Sequence, residues 1–371
     1  MKLLIPVAFG LEAVVKRQLK KLGYDHAPAT NGRLAVEGDW TDISRLNIGM
    51  RSGERVLIEL TSFHAETFDD LYDAVYAFPW EDWMTPHSKI LLDGKSLRST
   101  LAAIKASGGV IKKAIVNRLA KKFRLSTLPE DRERFTVGFS IYENEVSLTL
   151  DTTGDSLHKR GYRTLAYSAP LKETLAAALI DMTYYFPERA FADPMCGSGT
   201  LPIEAAIKSL NIAPGKNRDF DFLHWPSSDK AAFARAKEAA LDAEIRDAHL
   251  DIFAGDINPD AISVARYHAK QAGVDRYIRF KTADMRSFAS QKDHGVLITN
   301  PPYGERLDDE ASVRETYKAL GVMSKALPDW NVYVLSGYPA FERCFGRRAA
   351  KVHKVYNANI ECGFYCYPSK T

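Results

Sequence analysis

Cysteine is scarce in this sequence: four occur in 371 residues. Cys362 and Cys366 have three residues between them, while Cys196 and Cys344 stand alone. That excludes a disulfide framework and gives neither the spacing of a zinc site nor that of a redox pair. Long apolar runs are missing too. A bilayer span needs about 20 consecutive apolar residues, and no stretch approaches that, so no membrane partner is expected. The apolar opening, MKLLIPVAFGLEAVV, is broken by Pro6, Gly10 and Glu12, with no small-residue cleavage pattern after it. It is expected to form a first strand and helix, not a targeting peptide. Internal repeats and low-complexity segments are also lacking. Together these absences predict a soluble, reduced, cytoplasmic chain with no metal site.

What is present begins with charge. The net value is only +3, but the distribution is uneven. Lys89, Lys95, Arg98, Lys105, Lys112, Lys113, Arg118, Lys121, Lys122 and Arg124 follow one another with Asp93 as the sole acid among them. A second basic point, Lys159, Arg160 and Arg163, surrounds Tyr162. A charge run is ordinarily a solvated helix face. With so little acid against it, this one also reads as a footprint for phosphates. Nucleic acid is the expected partner, with Lys112, Lys113, Lys121, Lys122, Arg124, Lys159, Arg160, Tyr162 and Arg163 as candidate contacts.

Length predicts two or three domains. Residues 1–55 read as strand (Lys2–Val7), helix (Leu11–Leu22), strand (Arg33–Glu37) and helix (Ile43–Met50). Residues 56–160 add the strand VLIEL, a helix over FDDLYDAVYAF ended by Pro79, the strand KILLDG, a basic helix, and the strands FTVGFSIY and EVSLTL. Short strands mixed with helices predict α+β units. From about residue 165 the pattern changes to apolar strands alternating with helices. That predicts a doubly wound, mostly parallel α/β sheet, whose ligands bind beyond the carboxyl ends of its strands.

Four chemically loaded segments fall at predicted strand ends. The first is Asp193-Pro194-Met195-Cys196-Gly197-Ser198-Gly199-Thr200, whose glycines permit a tight turn and close backbone approach to a ligand. The helix after it would present free amides to a carboxylate or phosphate. It lacks the lysine of a P-loop and the third glycine of the dinucleotide fingerprint. Gly255-Asp256-Ile257-Asn258 offers a carboxylate for two ribose hydroxyls, and Asp284 before Met285 could accept from an adenine amino group. Singly, each Asp is equally a turn or cap residue. The fourth is Asn300-Pro301-Pro302-Tyr303. Two prolines remove two amide donors and fix the backbone, leaving the Asn300 side-chain oxygen and the Pro301 carbonyl as acceptors for the two hydrogens of an amine. An amine on a base is planar and a poor nucleophile. Two acceptors would favour a tetrahedral nitrogen, and Tyr303 offers a face for stacking.

In this order, DPMCGSGT, GDI, AD and NPPY resemble the motifs of class I S-adenosylmethionine-dependent methyltransferases acting on exocyclic amines. The resemblance covers nearly the whole chain. The N-terminal half is similar to a THUMP RNA-binding module (56–160) preceded by a ferredoxin-like part (1–55), with a Rossmann-like methyltransferase domain at 165–371. DTTGDSLHKRGYR, APLKETLAAALI, the insertion NIAPGKNRDFDF with Trp225, and NPPYGERL resemble the bacterial large-subunit ribosomal RNA guanine-N2 methyltransferases. This likeness implies that Asp193, Pro194, Cys196, Gly197, Ser198, Gly199 and Thr200 hold the methionine end of the cofactor. It places Asp256 on the ribose, and Ile257, Asn258, Asp284 and Met285 by the adenine. Leu171, Glu173 and Thr174 would close over the cofactor from the preceding helix. The target amine would sit at Asn300, Pro301, Pro302 and Tyr303. Unlike the two-headed members, one methyltransferase domain is present here, which implies one reaction.

The expected reaction is in-line transfer to the N2 of a guanosine in 23S ribosomal RNA, with S-adenosylhomocysteine leaving. The sulfonium donor is already activated and requires no metal. Cys196, the residue type that carbon-methylating enzymes use as a nucleophile, sits inside the glycine turn and reads as structural. Alternatives are a transfer RNA guanine-N2 enzyme, a nucleic-acid adenine-N6 enzyme, a protein glutamine methyltransferase sharing NPPY, or an RNA-binding protein with an inactive cofactor domain.

Overall fold

A computed structural model describes residues 1–369 except 31, 166–170 and 304–309. Two sheets of seven strands each organise the chain. The first contains β1 (Lys2–Pro6), β2 (Ala29–Thr30), β3 (Arg33–Glu37), β4 (Leu57–His64), β5 (Lys89–Leu97), β6 (Arg134–Tyr142) and β7 (Glu145–Asp151), in the order β2-β3-β1-β4-β7-β6-β5. β4 pairs with β1 through Leu57 and Ile58 and with β7 along its length, so one sheet runs through both parts of the N-terminal half. Its helices are α1 (Glu12–Lys21), α2 (Trp40–Gly49), α3 (Phe68–Ala77) and α4 (Ile104–Phe123). α2 starts three residues before the predicted Ile43. Asp39 accepts from the amides of Thr41 and Asp42, and Asp42 returns a bond to the Asp39 amide, forming a capping box.

The second sheet contains β8 (Phe191–Asp193), β9 (Ile252–Asp256), β10 (Ile278–Thr282), β11 (Val296–Thr299), β12 (Asn331–Ser336), β13 (Lys351–Asn357) and β14 (Ile360–Tyr367). Its order is β10-β9-β8-β11-β12-β14-β13, parallel from β10 to β12 and antiparallel over the last two strands. Helices α5 (Glu173–Asp181), α6 (Thr200–Ser209), α7 (Lys230–Asp242), α8 (Pro259–Gln271), α9 (Glu310–Lys325) and α10 (Phe341–Phe345) complete it. This is the doubly wound sheet that the alternating pattern predicts. β11 and β12 are buried at every position, as strands covered on both faces must be.

The polar insertion is a clamp between the halves. Trp225 is buried, stacks on Phe135 of β6 at 4.5 Å between centroids, and donates its indole N–H to the Arg134 carbonyl at 2.9 Å. Arg134 in turn grips Asp221 with two hydrogen bonds of 2.7 and 2.8 Å. On the other side, Gln18 donates to Asp181 at the end of α5 at 2.7 Å, and Lys208 pairs with the same carboxylate at 2.8 Å.

Candidate functional site

Strand order places the site. β8 lies between β9 and β11, so the connections after β8 and β11 leave in opposite directions and open a crevice at their carboxyl ends. Asp193 ends β8, Asp256 ends β9, Asp284 follows β10 and Asn300 follows β11. All four segments meet there, tied by short bonds. The Cys196 amide donates to the Gly255 carbonyl at 2.8 Å and the Ala283 amide to the Asp256 carbonyl at 2.9 Å. The Gly197 amide donates to Asp256 Oδ2 at 2.9 Å. The Thr299 hydroxyl donates to Asp193 Oδ1 at 2.8 Å, which draws the glycine loop up to the Asn-Pro-Pro-Tyr loop.

On the cofactor side, Gly197 (φ +51°) and Gly199 (φ +84°) hold the left-handed conformations of the turn into α6. A Cβ on Gly199 would come within 2.9 Å of Ala265, whereas one on Gly197 would meet nothing. Gly199 therefore serves packing, and Gly197 leaves the backbone open towards a ligand. Asp256 spends one oxygen on the Gly197 amide and the other on the Asn258 amide at 2.9 Å. A carboxylate has about four acceptor sites, so two ribose hydroxyls can still be taken. Ile257 projects beside it, 69% exposed. A cavity of about 280 Å³ continues from there, lined by Pro194, Phe253, Gly255, Asp284, Met285 and Phe288 among others. Phe253, Met285 and Phe288 give it apolar walls that suit a planar base, and Asp284, alongside Arg279 and Lys281 on the polar side, can accept from an amino donor. Asp284 also caps the Arg286 amide at 2.8 Å, and Asn258 caps α8 through the Asp260 amide at 2.9 Å.

Asp193 is buried, which pushes its carboxyl up to about 7; the neighbouring Asp256 adds to the rise, and the bonds from Thr299 and the Met195 amide oppose it. Burial likewise drives the Cys196 thiol upwards, with Asp193 and Asp256 reinforcing it. A thiol kept protonated makes a poor nucleophile. Ser198 and Thr200 are buried, and His268 Nδ1–H donates to the Ser198 carbonyl at 3.2 Å.

On the acceptor side, the Tyr303 hydroxyl donates to Asn300 Oδ1. That bond takes one of two lone pairs and fixes which way the amide points. The Tyr303 ring is half-buried, so the stacking face expected of it is only partly open. Burial and Cys362 raise its phenol, and Asn357 is a further hydrogen-bonding partner. Pro301 is buried; the Pro302 carbonyl accepts from Tyr317 at 3.0 Å. The Gly-Glu-Arg-Leu part of NPPYGERL, and Ala169 and Pro170 of APLKETLAAALI, lie outside the described residues.

Several expected contacts are corrected. Arg160, 6% exposed, donates to the carbonyls of Leu157, Met50 and Arg51 and pairs with Glu204 at 3.5 Å. Tyr162, 4% exposed, donates to the same Glu204 at 3.1 Å. Arg163 donates to the Leu171 carbonyl at 2.9 Å and pairs with Glu173 at 3.2 Å. Arg160 thus ties the N-terminal half to α6 and Tyr162 anchors the linker there, both buried away from RNA, while half-buried Arg163 is held against α5. Leu171 and Glu173 are buried, and Thr174, 1% exposed, donates to Glu54 of the N-terminal half at 2.8 Å. The side chains of Glu173 and Thr174 thus have partners within the protein. In the basic run, Lys112 is held by Glu130 (2.8 Å) and the Ile90 carbonyl (3.1 Å). Glu81 binds Arg118 through two bonds of 3.0 and 2.7 Å and lies 3.5 Å from Lys122. The run is compensated from outside itself, which one-dimensional charge counting overlooks. Lys113, Lys121 and Arg124 stay exposed and form no ion pair among the described residues. Lys159 is exposed and pairs with Asp155 at 3.1 Å.

Sequence reasoning missed Thr299, although one hydroxyl closing the apolar strand VLIT was a readable signal. It also missed the cavity walls Phe253 and Phe288, and Asn357 and Cys362 beside Tyr303, which carry no local signal.

Residues 160–365 match the family described as RMKL-like, methyltransferase domain; residues 2–57 match the RlmL ferredoxin-like domain and residues 65–151 the THUMP domain. The Bacillus subtilis protein named "Putative RNA methyltransferase YpsC" is 38% identical over 370 residues, 99% of this chain and 96% of its own length. The protein named "Ribosomal RNA large subunit methyltransferase K/L" of Psychromonas ingrahamii is 34% identical over 367 residues; they are 96% of this chain but 49% of that longer protein. A crystal structure described as "SMU.472, a putative methyltransferase complexed with SAH" is similar with a TM-score of 0.94 at 37% identity, over 100% of this chain and 98% of that one. Another, described as "a predicted N6-adenine-specific DNA methylase from Listeria monocytogenes", gives a TM-score of 0.94 at 42% identity over 99% and 96%.

Proposed function

We propose that this chain, which belongs to the RMKL-like family of S-adenosylmethionine-dependent RNA methyltransferases, methylates the exocyclic N2 amine of a guanosine in 23S ribosomal RNA. The supporting observation is the bond from Thr299 to Asp193, which sets the glycine loop beside Asn300 at one crevice. Bound there, S-adenosylmethionine supplies an electrophilic methyl group. Gly197 and Asp256 would receive its methionine and ribose portions, and the cavity at Asp284 and Met285 its adenine. Asn300 Oδ1, oriented by Tyr303, and the Pro301 carbonyl hold the two amine hydrogens and aim the nitrogen. Positioning of this kind lowers a barrier by roughly 7–11 kcal/mol. Acceptors fixed in advance also stabilise the positive charge growing on nitrogen, and the proton leaves to water afterwards. RNA affinity comes from the exposed face of α4, and the base is met in an unpaired region or turned out at a cost of a few kcal/mol. A cytoplasmic site of action follows from this substrate.

The test is methyl transfer from labelled S-adenosylmethionine to ribosomal RNA, transfer RNA and DNA, followed by nucleoside mass spectrometry. N2-methylguanosine in large-subunit RNA is expected; N6-methyladenosine in DNA would replace this reading. Asn300→Ala should lower kcat roughly 100- to 1000-fold, as loss of one preorganised polar group does, with S-adenosylhomocysteine affinity nearly unchanged by calorimetry. Unaltered turnover removes Asn300 from its role.

A further inference from the structure

A second opening lies between the N-terminal half and the β13–β14 hairpin. It is a cleft of about 310 Å³ lined by Val7, Phe9, Glu54, Lys172, Leu175 and Tyr356, with others. Three features set it apart from a packing defect. Phe9 is 62% exposed and meets Tyr356 edge-to-face at 5.9 Å. The loop carrying it is fixed from below, because Gly10 packs so closely on the hairpin that a Cβ would come within 2.4 Å of the Lys354 carbonyl. An aromatic ring is thus held out to solvent on a rigid support. Lys172, exposed at the start of α5, adds a cation with no ion pair among the described residues.

The hairpin that walls the cleft also touches the acceptor loop. Asn357, the residue after Tyr356, and Cys362 on the paired strand are the hairpin partners of Tyr303. Glu54 stays ionised in the cleft. Burial opposes its charge, but His158 at 3.8 Å, a hydrogen bond from Thr174 and the nearby Lys172 outweigh that and hold the carboxyl at about 2. A carboxylate beside an exposed ring suits a base edge with N–H donors, while the lysine suits a phosphate.

We propose that this cleft is a subsite for an unpaired nucleotide flanking the methylated one, its base stacked on Phe9 and its phosphate on Lys172. This rests on the RNA reading above. It adds a reason for a target to be accepted: an RNA whose neighbouring nucleotide is free to unstack gains a second anchor next to the reacting base.

The experiment uses the full chain, with a large-subunit ribosomal RNA transcript as methyl acceptor and a single-stranded nonamer of mixed sequence as binding probe. Phe9→Ala should raise KM for the transcript roughly fivefold or more, the lower end of a base–aromatic stack, without altering S-adenosylhomocysteine affinity. Phe9→Trp should restore KM, and its added emission should be quenched by the nonamer. Lys172→Ala should make the salt dependence of RNA binding shallower by about one in slope. An unchanged KM in Phe9→Ala, or emission indifferent to the nonamer, overturns the subsite. If the unaltered chain methylates no RNA at all, the failure belongs to the proposed function instead.

Discussion

Two basic segments look alike on paper and meet opposite fates. The stripe on α4 keeps Lys113, Lys121 and Arg124 in solvent, whereas in the linker between the halves Arg160 is sunk against Glu204 and Arg163 is half-buried against Glu173. The exposed group can trade counterions for phosphates at little cost. The buried group has lost its water and depends on its carboxylates, so it serves as an internal fastener. A positive charge thus reports a partner only once its burial is known. α4 also shows the intermediate case, for Lys112 and Arg118 are drawn off by Glu130 and Glu81 from neighbouring segments.

The largest effect should come from the buried side. Arg160→Ala strands Glu204 and should cost about 3–5 kcal/mol, as removal of one partner of a buried pair does, read as a lower urea midpoint. A variant of full stability that had lost RNA affinity would reverse the assignment. Next, joint neutralisation of Lys113, Lys121 and Arg124 should weaken RNA binding and make its salt slope shallower by about 2 to 3, with the melting temperature kept. Lys112→Ala, by contrast, should leave that slope alone. Equal slopes for the triple variant, Lys112→Ala and the unaltered chain would mean that α4 faces away from the RNA.

The last effect is pH-dependent and concerns Asp193, a buried acid with no ion pair among the described residues. Its folded-state carboxyl, near 7, lies above the ordinary value of 3.8. Between those limits the folded chain binds more protons than the unfolded one, so this group's contribution to stability falls as pH rises from about 4 to 7. Asp193→Asn should flatten that decline in a series of melting curves. An identical pH profile would place the titration elsewhere.

Much of this was legible in one dimension. The parallel sheet followed from apolar strands alternating with helices, and the segments at 193–200, 256–258, 284–285 and 300–303 announced themselves by residue types that turns and strand ends require. Helix starts were less legible where a cap preceded the apolar pattern, as at Asp39. The C-terminal hairpin went unpredicted although KVHKVYN and IECGFYCY flank a short turn. Side-chain roles failed wherever the partner was distant in sequence. Thr174 reads as a helix residue near a cofactor, and nothing near it in sequence announces that its hydroxyl is bonded to Glu54.

Sequence alone determined the kind of chemistry, because a glycine turn, acids at successive strand ends and an Asn-Pro-Pro-Tyr loop each impose local backbone and donor–acceptor constraints that neighbouring residues can satisfy. Only the tertiary structure decided which charges face solvent, which hydroxyl joins the two loops, and that Phe9 stands beside the C-terminal hairpin. Those outcomes depend on burial and on contacts between residues from ten to several hundred positions apart, and solvation at a point in space is not encoded at any one position of the chain.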